Sequence, residues 1–154
     1  MNDSQKNIEQ FNLVALTLLN RLYDSFPTPI NILPDDLNSL GFSAVPEDAT
    51  DEEGWDTGTM TNDVLTFLAE ERFIRYEADP NDYNKSDHFW KVRLSLKGLG
   101  ILNSSSESPD SEGNTSIAQK IRQSLDTITT TAGIEMGKHV VTEIIKLALK
   151  NIAS

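Results

Sequence analysis

Several features are missing from this chain of 154 residues, and each absence excludes a class of protein. There is no cysteine, which excludes disulfides, thiolate catalysis and cysteine-based zinc sites. No uncharged apolar run approaches the ~20 residues that a membrane-spanning helix needs. Residues 1–5 are polar and lack the basic and then apolar order of a signal peptide. Together these absences favour a soluble cytoplasmic protein with no membrane partner.

Basic residues are scarce, above all in the first third of the sequence. The chain has 13 Lys and Arg against 24 Asp and Glu, and its formal net charge is −11. Residues 1–58 hold eleven of the acids, but only Lys6 and Arg21 among the bases. Phosphate backbones and anionic membrane surfaces repel so acidic a segment. Only residues 59–103, which are nearly neutral, could form a local basic patch.

Apolar spacing predicts a helix, a short strand and a second helix in the first forty residues. Residues 8–26 carry apolar side chains at intervals of three and four over a broad arc, which predicts a core helix. Pro27 and Pro29 then end it, because the residue before a proline disfavours helical geometry. We expect a short strand at residues 30–32 and a short helix at residues 34–40.

An acidic loop, residues 42–58, is predicted to follow. It carries six acids and no base, and it lacks the ligand spacing of a calcium-binding EF-hand loop. The charges either keep the loop solvated or contact a basic partner. Trp55 stands among them and is either packed onto the core or exposed as an anchor for a partner protein.

Residues 59–95 predict a helix followed by a β-hairpin. In the helix, residues 59–72, the predicted inward side chains are Met60, Val64, Phe67 and Leu68. Residues 73–78 and 89–95 alternate between apolar and polar side chains, as strands with one buried face do. On the second strand, alternation places Trp90, Val92 and Leu94 on the inward face. A cluster of turn-forming residues, 79–84, separates the two strands.

Two runs in this region resemble those of winged helix-turn-helix domains. Residues 67–74, Phe-Leu-Ala-Glu-Glu-Arg-Phe-Ile, are similar to the run that ends the third helix of such domains and starts the wing. Residues 92–98, Val-Arg-Leu-Ser-Leu-Lys-Gly, are similar to the run that ends the second wing strand in a closing turn. The resemblance covers residues 8–102 and implies an α+β winged-helix fold. Winged helices usually bind DNA, but others serve as protein-binding modules.

The residues that would recognise DNA have unsuitable chemistry. The outward positions of the third helix carry no Lys or Arg, although phosphate contacts need them; these positions are Thr61, Asn62, Asp63, Thr66 and Glu70. The long acidic loop also replaces the usual turn of roughly 3–4 residues. Four bases on or after the wing either contact a phosphate backbone or form a solvated strand face: Lys85, Lys91, Arg93 and Lys97.

Residues 103–116 contain no apolar side chain, which predicts a flexible linker. The chain would then divide into a winged-helix domain, residues 1–102, and a helical segment, residues 117–154. This segment reads as one helix or two, because Gly133 and the β-branched residues near position 130 are weak helix formers.

The C-terminal helix has a narrow polar stripe, so most of its surface must be buried. The pair Gly133-x-x-x-Gly137 would let another helix approach closely, and Val140 and Ile144 lie in the same predicted contact. Three partners are possible: the first helix of this chain, the same helix of a second subunit, or a different protein. We favour self-association.

No motif for catalysis or cofactor binding stands out. The sequence has neither a Gly-x-Ser-x-Gly elbow nor a glycine-rich phosphate loop. Glu135, His139 and Glu143 share one helix face and could hold a divalent metal, although amphipathic helices often place such residues together.

We therefore predict a non-enzymatic adaptor or regulator that acts through protein contacts and self-association, without cofactor or metal. The alternative is a DNA-binding transcription regulator that dimerises through its C-terminal helix. A third, weaker hypothesis is an acidic decoy that occupies a nucleic-acid-binding surface on another protein.

Overall fold

A computed structural model describes residues 3–32, 62–78, 89–105, 115–127 and 130–153. These residues form an α+β fold, as predicted, with five helices and one small sheet. The elements in chain order are α1 (Asp3–Ser25), β1 (Ile30–Ile32), α2 (62–70), β2 (Ile74–Ala78), β3 (Phe89–Leu94), α3 (Leu96–Asn103), α4 (Ile117–Asp126) and α5 (Thr131–Ala153). Within these ranges, no helix combines the length and apolar character needed to cross a membrane.

The three strands form an antiparallel sheet in the order β1-β3-β2. The predicted hairpin is confirmed, since Ile74 pairs with Leu94 at its base. The predicted strand at residues 30–32 also forms, and Ile30 pairs with Val92 on the other side of β3. The middle strand is therefore the last of the three in the sequence.

A β-bulge in β3 interrupts the predicted alternation. Arg75 pairs with Arg93 and Glu77 pairs with Trp90, so β3 contains one residue more than β2 between these pairs. The pairing of β1 with β3 shifts in the same stretch. Lys91 lies in this bulge with a φ of 51°, a left-handed conformation that residues with side chains rarely adopt.

The bulge changes which side chains of β3 face the core. Alternation placed Trp90 inward, but Trp90 is only partly buried and Phe89 is buried instead. Beyond the bulge, Val92 and Leu94 are buried as predicted. A single extra residue reverses the phase of a strand, because successive side chains point to opposite faces.

Helix α2 ends in a Schellman motif that has arginine where glycine is usual. Arg72 has a φ of 65°. The N–H of Phe73 donates to the carbonyl of Leu68 at 2.8 Å, and the N–H of Arg72 donates to the carbonyl of Ala69 at 3.0 Å. Leu68 and Phe73 are both buried. This turn directs the chain from α2 into β2.

The predicted closing turn after β3 is instead the start of helix α3. Ser95 is its N-cap: its Oγ accepts the N–H of Gly98 at 3.0 Å and lies 3.0 Å from the carbonyl oxygen of Phe73. A Cβ on Gly98 would lie 2.3 Å from that same oxygen. The serine and the glycine of this motif therefore join the hairpin tightly to α3.

Helices α4 and α5 pack against α1 and share its hydrophobic core. The buried core residues of these three helices include Leu16, Leu18, Leu22, Ile117, Ile121, Val140 and Ile144. Two polar contacts also attach α1 to later elements: the Tyr23 hydroxyl donates to Asn103 Oδ1 at 2.8 Å, and Arg122 forms a salt bridge with Asp24. The structure thus places the C-terminal helices on the first helix of the same chain.

The ends of the predicted linker are held together. Ser105 and Ser116 form an isolated β-bridge, and the N–H of Ile117 donates to the carbonyl of Ser104 at 2.9 Å. Buried residues on both sides of position 103, such as Leu102 and Ile117, belong to the same hydrophobic cluster.

The sequence left open whether the C-terminal segment is one helix or two, and the structure has two, since α4 ends at Asp126 and α5 begins at Thr131. A capping box of Ser116 and Gln119 starts α4. At the interruption, a Cβ on Gly133 would lie 1.8 Å from the carbonyl oxygen of Thr127, so glycine permits this close approach.

Some predicted features lie outside the described residues. They are the helix at 34–40, the acidic loop with Trp55, the wing turn at 79–84 with Lys85, and linker residues 106–114.

Candidate functional site

An apolar groove lies between α1, α2 and α5. Its walls include Phe11, Ala15, Leu19, Phe67, Val141, Ile145 and Leu149. Glu71 is the one charged residue among the described residues that line it. An apolar concave surface with one charge is suited to binding another apolar surface.

Regular spacing on each helix builds the groove. Phe11, Ala15 and Leu19 recur every four residues on α1, so they share one face. Val141, Ile145 and Leu149 repeat the same spacing on α5. On α2, the ring of Phe67 meets the ring of Phe11 edge to face, with 5.4 Å between the ring centroids. Aromatic pairs in this geometry add about 0.5–1.5 kcal/mol beyond their buried area.

Large apolar side chains project from the rim of the groove. Phe67 is 45% exposed, Ile145 is 52% exposed and Leu149 is 59% exposed. Ile8 is also exposed and lies one helical turn before Phe11 on α1. We call the groove and these four exposed residues the groove face. Phe67 corrects the sequence prediction, which placed it inward, whereas Leu65 is the fully buried neighbour.

Of the predicted partner contacts on α5, only Ile144 lines the groove. Gly133, Gly137, Val140 and Ile144 are all buried, and Ile144 is only 6% exposed. Gly133, Gly137 and Val140 do not line it, and Val140 is only 2% exposed. The predicted anchor Trp55 lies outside the described residues. Ile145, the next residue along α5, is exposed and also lines the groove.

The exposed side of the hairpin carries a second candidate site, which we call the basic face. It is a shallow pocket lined by Pro29, Arg75, Tyr76, Glu77, Lys91 and Arg93. Arg75 and Arg93 are direct register partners, and both are exposed. Lys91 Nζ lies 3.6 Å from Glu77 Oε2.

The structure brings together only some of the predicted wing bases. Lys91 and Arg93 share the basic face, whereas Lys97 lies elsewhere and donates to the carbonyl of Glu71 at 3.0 Å. Its Nζ also lies 5.3 Å from the ring centroid of Phe73. Lys97 therefore stabilises the end of α2. Lys85 lies outside the described residues.

Arg75 is the member of this site that sequence analysis missed. Alternation placed it on the outward face, but only the strand register shows that it lies opposite Arg93. The sequence did predict that the two strands pair across one turn, and that pairing was the signal that could have brought Arg75 close to Arg93.

The exposed side of α2 is acidic. Asp63, Thr66 and Glu70 are exposed, and residues 62–70 contain neither lysine nor arginine. Thr61 lies outside the described residues. This surface repels a phosphate backbone.

No group of three or more His, Asp or Glu side chains in the described ranges is arranged to hold a metal ion. His139 is exposed on α5, and Glu135 lies 3.4 Å from Lys138 Nζ in an ion pair.

Comparisons with family models, with curated proteins and with solved structures find no match to this chain.

Proposed function

We propose that this chain is a winged-helix interaction module, not an enzyme, that binds a second copy of itself through the groove face. The described order α1-β1-α2-β2-β3 and the sheet order β1-β3-β2 support the resemblance to winged helices. The observation that carries the proposed function is the groove face itself.

The shape of the groove face favours a second copy. A two-fold interface uses the same patch on both subunits, so the patch must be self-complementary. Here an apolar concavity lies directly beside projecting apolar side chains, namely Phe67, Ile145 and Leu149. The projecting residues are apolar like the groove, so those of one copy match the chemistry of the groove of the other.

The charge of the chain also favours this face. Two copies that each carry −11 repel each other, and contact is least unfavourable where the local charge is lowest. Among the described groove residues only Glu71 is charged. Because added salt screens this repulsion, association should strengthen as ionic strength rises.

Sedimentation equilibrium of the full chain across a range of concentrations tests the proposal. We expect a monomer–dimer equilibrium that Ile145→Asp weakens by at least ~100-fold, because an unpaired buried charge costs several kcal/mol. Phe67→Asp should have the same effect. Leu96→Asp is the matched control, since Leu96 is 82% exposed on α3 and does not line the groove.

A wild-type chain that stays monomeric at every concentration and salt would refute self-association. A dimer that Leu96→Asp disrupts, while Ile145→Asp does not, would move the interface away from the groove.

The DNA-binding alternative draws support from one observation, the basic face. Against it stand the exposed acids Asp63 and Glu70 on α2, the helix that would enter the groove of DNA.

A further inference from the structure

Self-association through the groove face leaves the basic face of the hairpin unused. We propose that this face binds an acidic peptide, and that Arg75 and Arg93 both donate hydrogen bonds to one of its carboxylates. The proposal does not depend on the proposed self-association, because the two surfaces share no residue.

The strand register gives the two arginines the geometry of a clamp. Directly opposite residues of antiparallel strands have Cβ atoms about 5 Å apart and point to the same side. Each guanidinium presents a planar set of donors that matches the two oxygens of a carboxylate. One carboxylate lying between Arg75 and Arg93 can therefore accept hydrogen bonds from both.

Without a ligand, this arrangement is unfavourable. Like charges directly opposite each other destabilise a sheet. Glu77, the acid in this pocket, is paired with Lys91, and neither arginine has an ion pair in the described part of the chain. In a chain with 24 acids and 13 bases, two adjacent unneutralised arginines form a local excess of positive charge that an anion would relieve.

Backbone strain lies at the same place. Lys91 adopts a φ of 51° in the bulge, a left-handed conformation that is unfavourable for a residue with a side chain. The bulge places Lys91 in the pocket beside Arg93. Bulges that redirect a side chain are common beside binding sites. The N–H of Lys91 donates to Asn31 Oδ1 at 2.9 Å, so β1 holds the bulge in place, and the bulge sets the position of Lys91 beside the arginines.

The other residues of the pocket favour a carboxylate over a phosphate. Glu77 repels a doubly charged phosphate more than a singly charged carboxylate. Pro29 and Tyr76 supply apolar surface against which a peptide can pack. Duplex DNA, with one charge per ~1.7 Å, needs a longer row of bases than this face provides.

NMR titration of the 15N-labelled full chain with hexaglutamate tests the proposal. At low salt we expect saturable shifts of the Arg75 and Arg93 Nε–H signals. Arg93→Gln should weaken binding at least ~10-fold, because charge-assisted hydrogen bonds are lost. Arg93→Lys keeps the charge but not the two-donor geometry, so it should also bind more weakly. Lys146→Gln, which removes one exposed positive charge on α5, is the matched control and should bind as the wild type does.

Thermal unfolding gives a readout that does not need the ligand. Arg75→Gln without peptide should raise the melting temperature by about 1–3 °C, because it removes the repulsion between the arginines. An unchanged or lower melting temperature would contradict the predicted repulsion.

Three results would overturn the proposal. The first is the absence of saturable hexaglutamate binding. The second is equal binding by wild type, Arg93→Gln and Lys146→Gln, which would indicate attraction by the overall field. The third is tighter binding of a duplex DNA or of inorganic phosphate than of hexaglutamate at the same salt, which would assign the face to phosphate; the duplex result would also revive the DNA-binding alternative.

Discussion

The groove face and the basic face are built in opposite ways. The groove face needs α1, α2 and α5, so its walls come from residues that lie more than a hundred positions apart in the sequence. The basic face is formed mainly by two strands of one hairpin. The first surface exists only when the whole chain folds, whereas the second depends chiefly on local pairing. The groove face should therefore depend on the helical core more strongly than the basic face does.

Removal of α4 and α5 should have the largest effect. A chain ending at Asn103 keeps every residue of the basic face but loses one wall of the groove and exposes core residues of α1 such as Leu16 and Leu18. The sequence predicted that residues 1–102 would fold alone, whereas the shared core predicts the loss of cooperative unfolding. Thermal unfolding followed by circular dichroism measures this. A sharp transition in the shortened chain would restore the two-domain interpretation.

Aspartate substitutions at two adjacent isoleucines should distinguish an effect on the stability of the fold from an effect on dimer formation. Both residues line the groove, but Ile144 is buried and Ile145 is exposed. Ile144→Asp should lower the free energy of unfolding by at least about 3 kcal/mol, because it buries an unpaired charge and removes core packing. Ile145→Asp should change it by less than about 1 kcal/mol while it disrupts the dimer.

Urea unfolding of both variants at a low, monomeric concentration gives the comparison. Equal losses of stability would mean that the arc of α5 that faces the core differs from the one described.

Alanine substitutions at two glycines in α3 should change the free energy of unfolding in opposite directions and by smaller amounts. A Cβ on Gly98 would collide with the carbonyl oxygen of Phe73, so Gly98→Ala should destabilise the join between hairpin and helix by about 1–3 kcal/mol. Gly100 is exposed in the helix and has no atom within 4 Å of a built Cβ. Gly100→Ala should therefore stabilise the chain by up to about 1 kcal/mol.

Urea unfolding ranks the two glycine variants, and NMR signals of β2 and β3 show where the change acts. If both alanines destabilise equally, the close approach at Gly98 is not the cause.

Local patterns made much of this fold predictable. The periodicity after Ile8 indicated α1, the alternation around Ile74 and Val92 indicated the hairpin, and the weak helix formers near position 130 indicated where the C-terminal segment could divide. Each of these features depends on neighbours within about one turn or one strand. The shared core was not predictable in the same way, because the apolar arc of α5 is so broad that periodicity alone favours neither Ile144 nor Ile145 for the inward position.

The sites were less predictable than the elements, because both depend on tertiary pairing. The bulge at Lys91 shifts the alternation of side chains in β3 by one residue. The sequence of β3 gives no sign of a bulge, because it contains neither glycine nor proline. Without that register, Arg75 and Arg93 were two separate outward bases. Lys97 was grouped with the wing bases by its position in the sequence, although its contact with the end of α2 places it elsewhere.

The bridge between Ser105 and Ser116 has a consequence for how the chain can be divided. The two ends of the intervening segment are held side by side. The covalent connection between them therefore acts mainly by raising the effective concentration of one part of the chain near the other. Residues 1–105 and 115–154, supplied as separate peptides, should recognise each other through the same core that α1 shares with α4 and α5. This chain is therefore a candidate split protein. If each half were fused to one of two other molecules, reassembly of the fold would show that those molecules had come together.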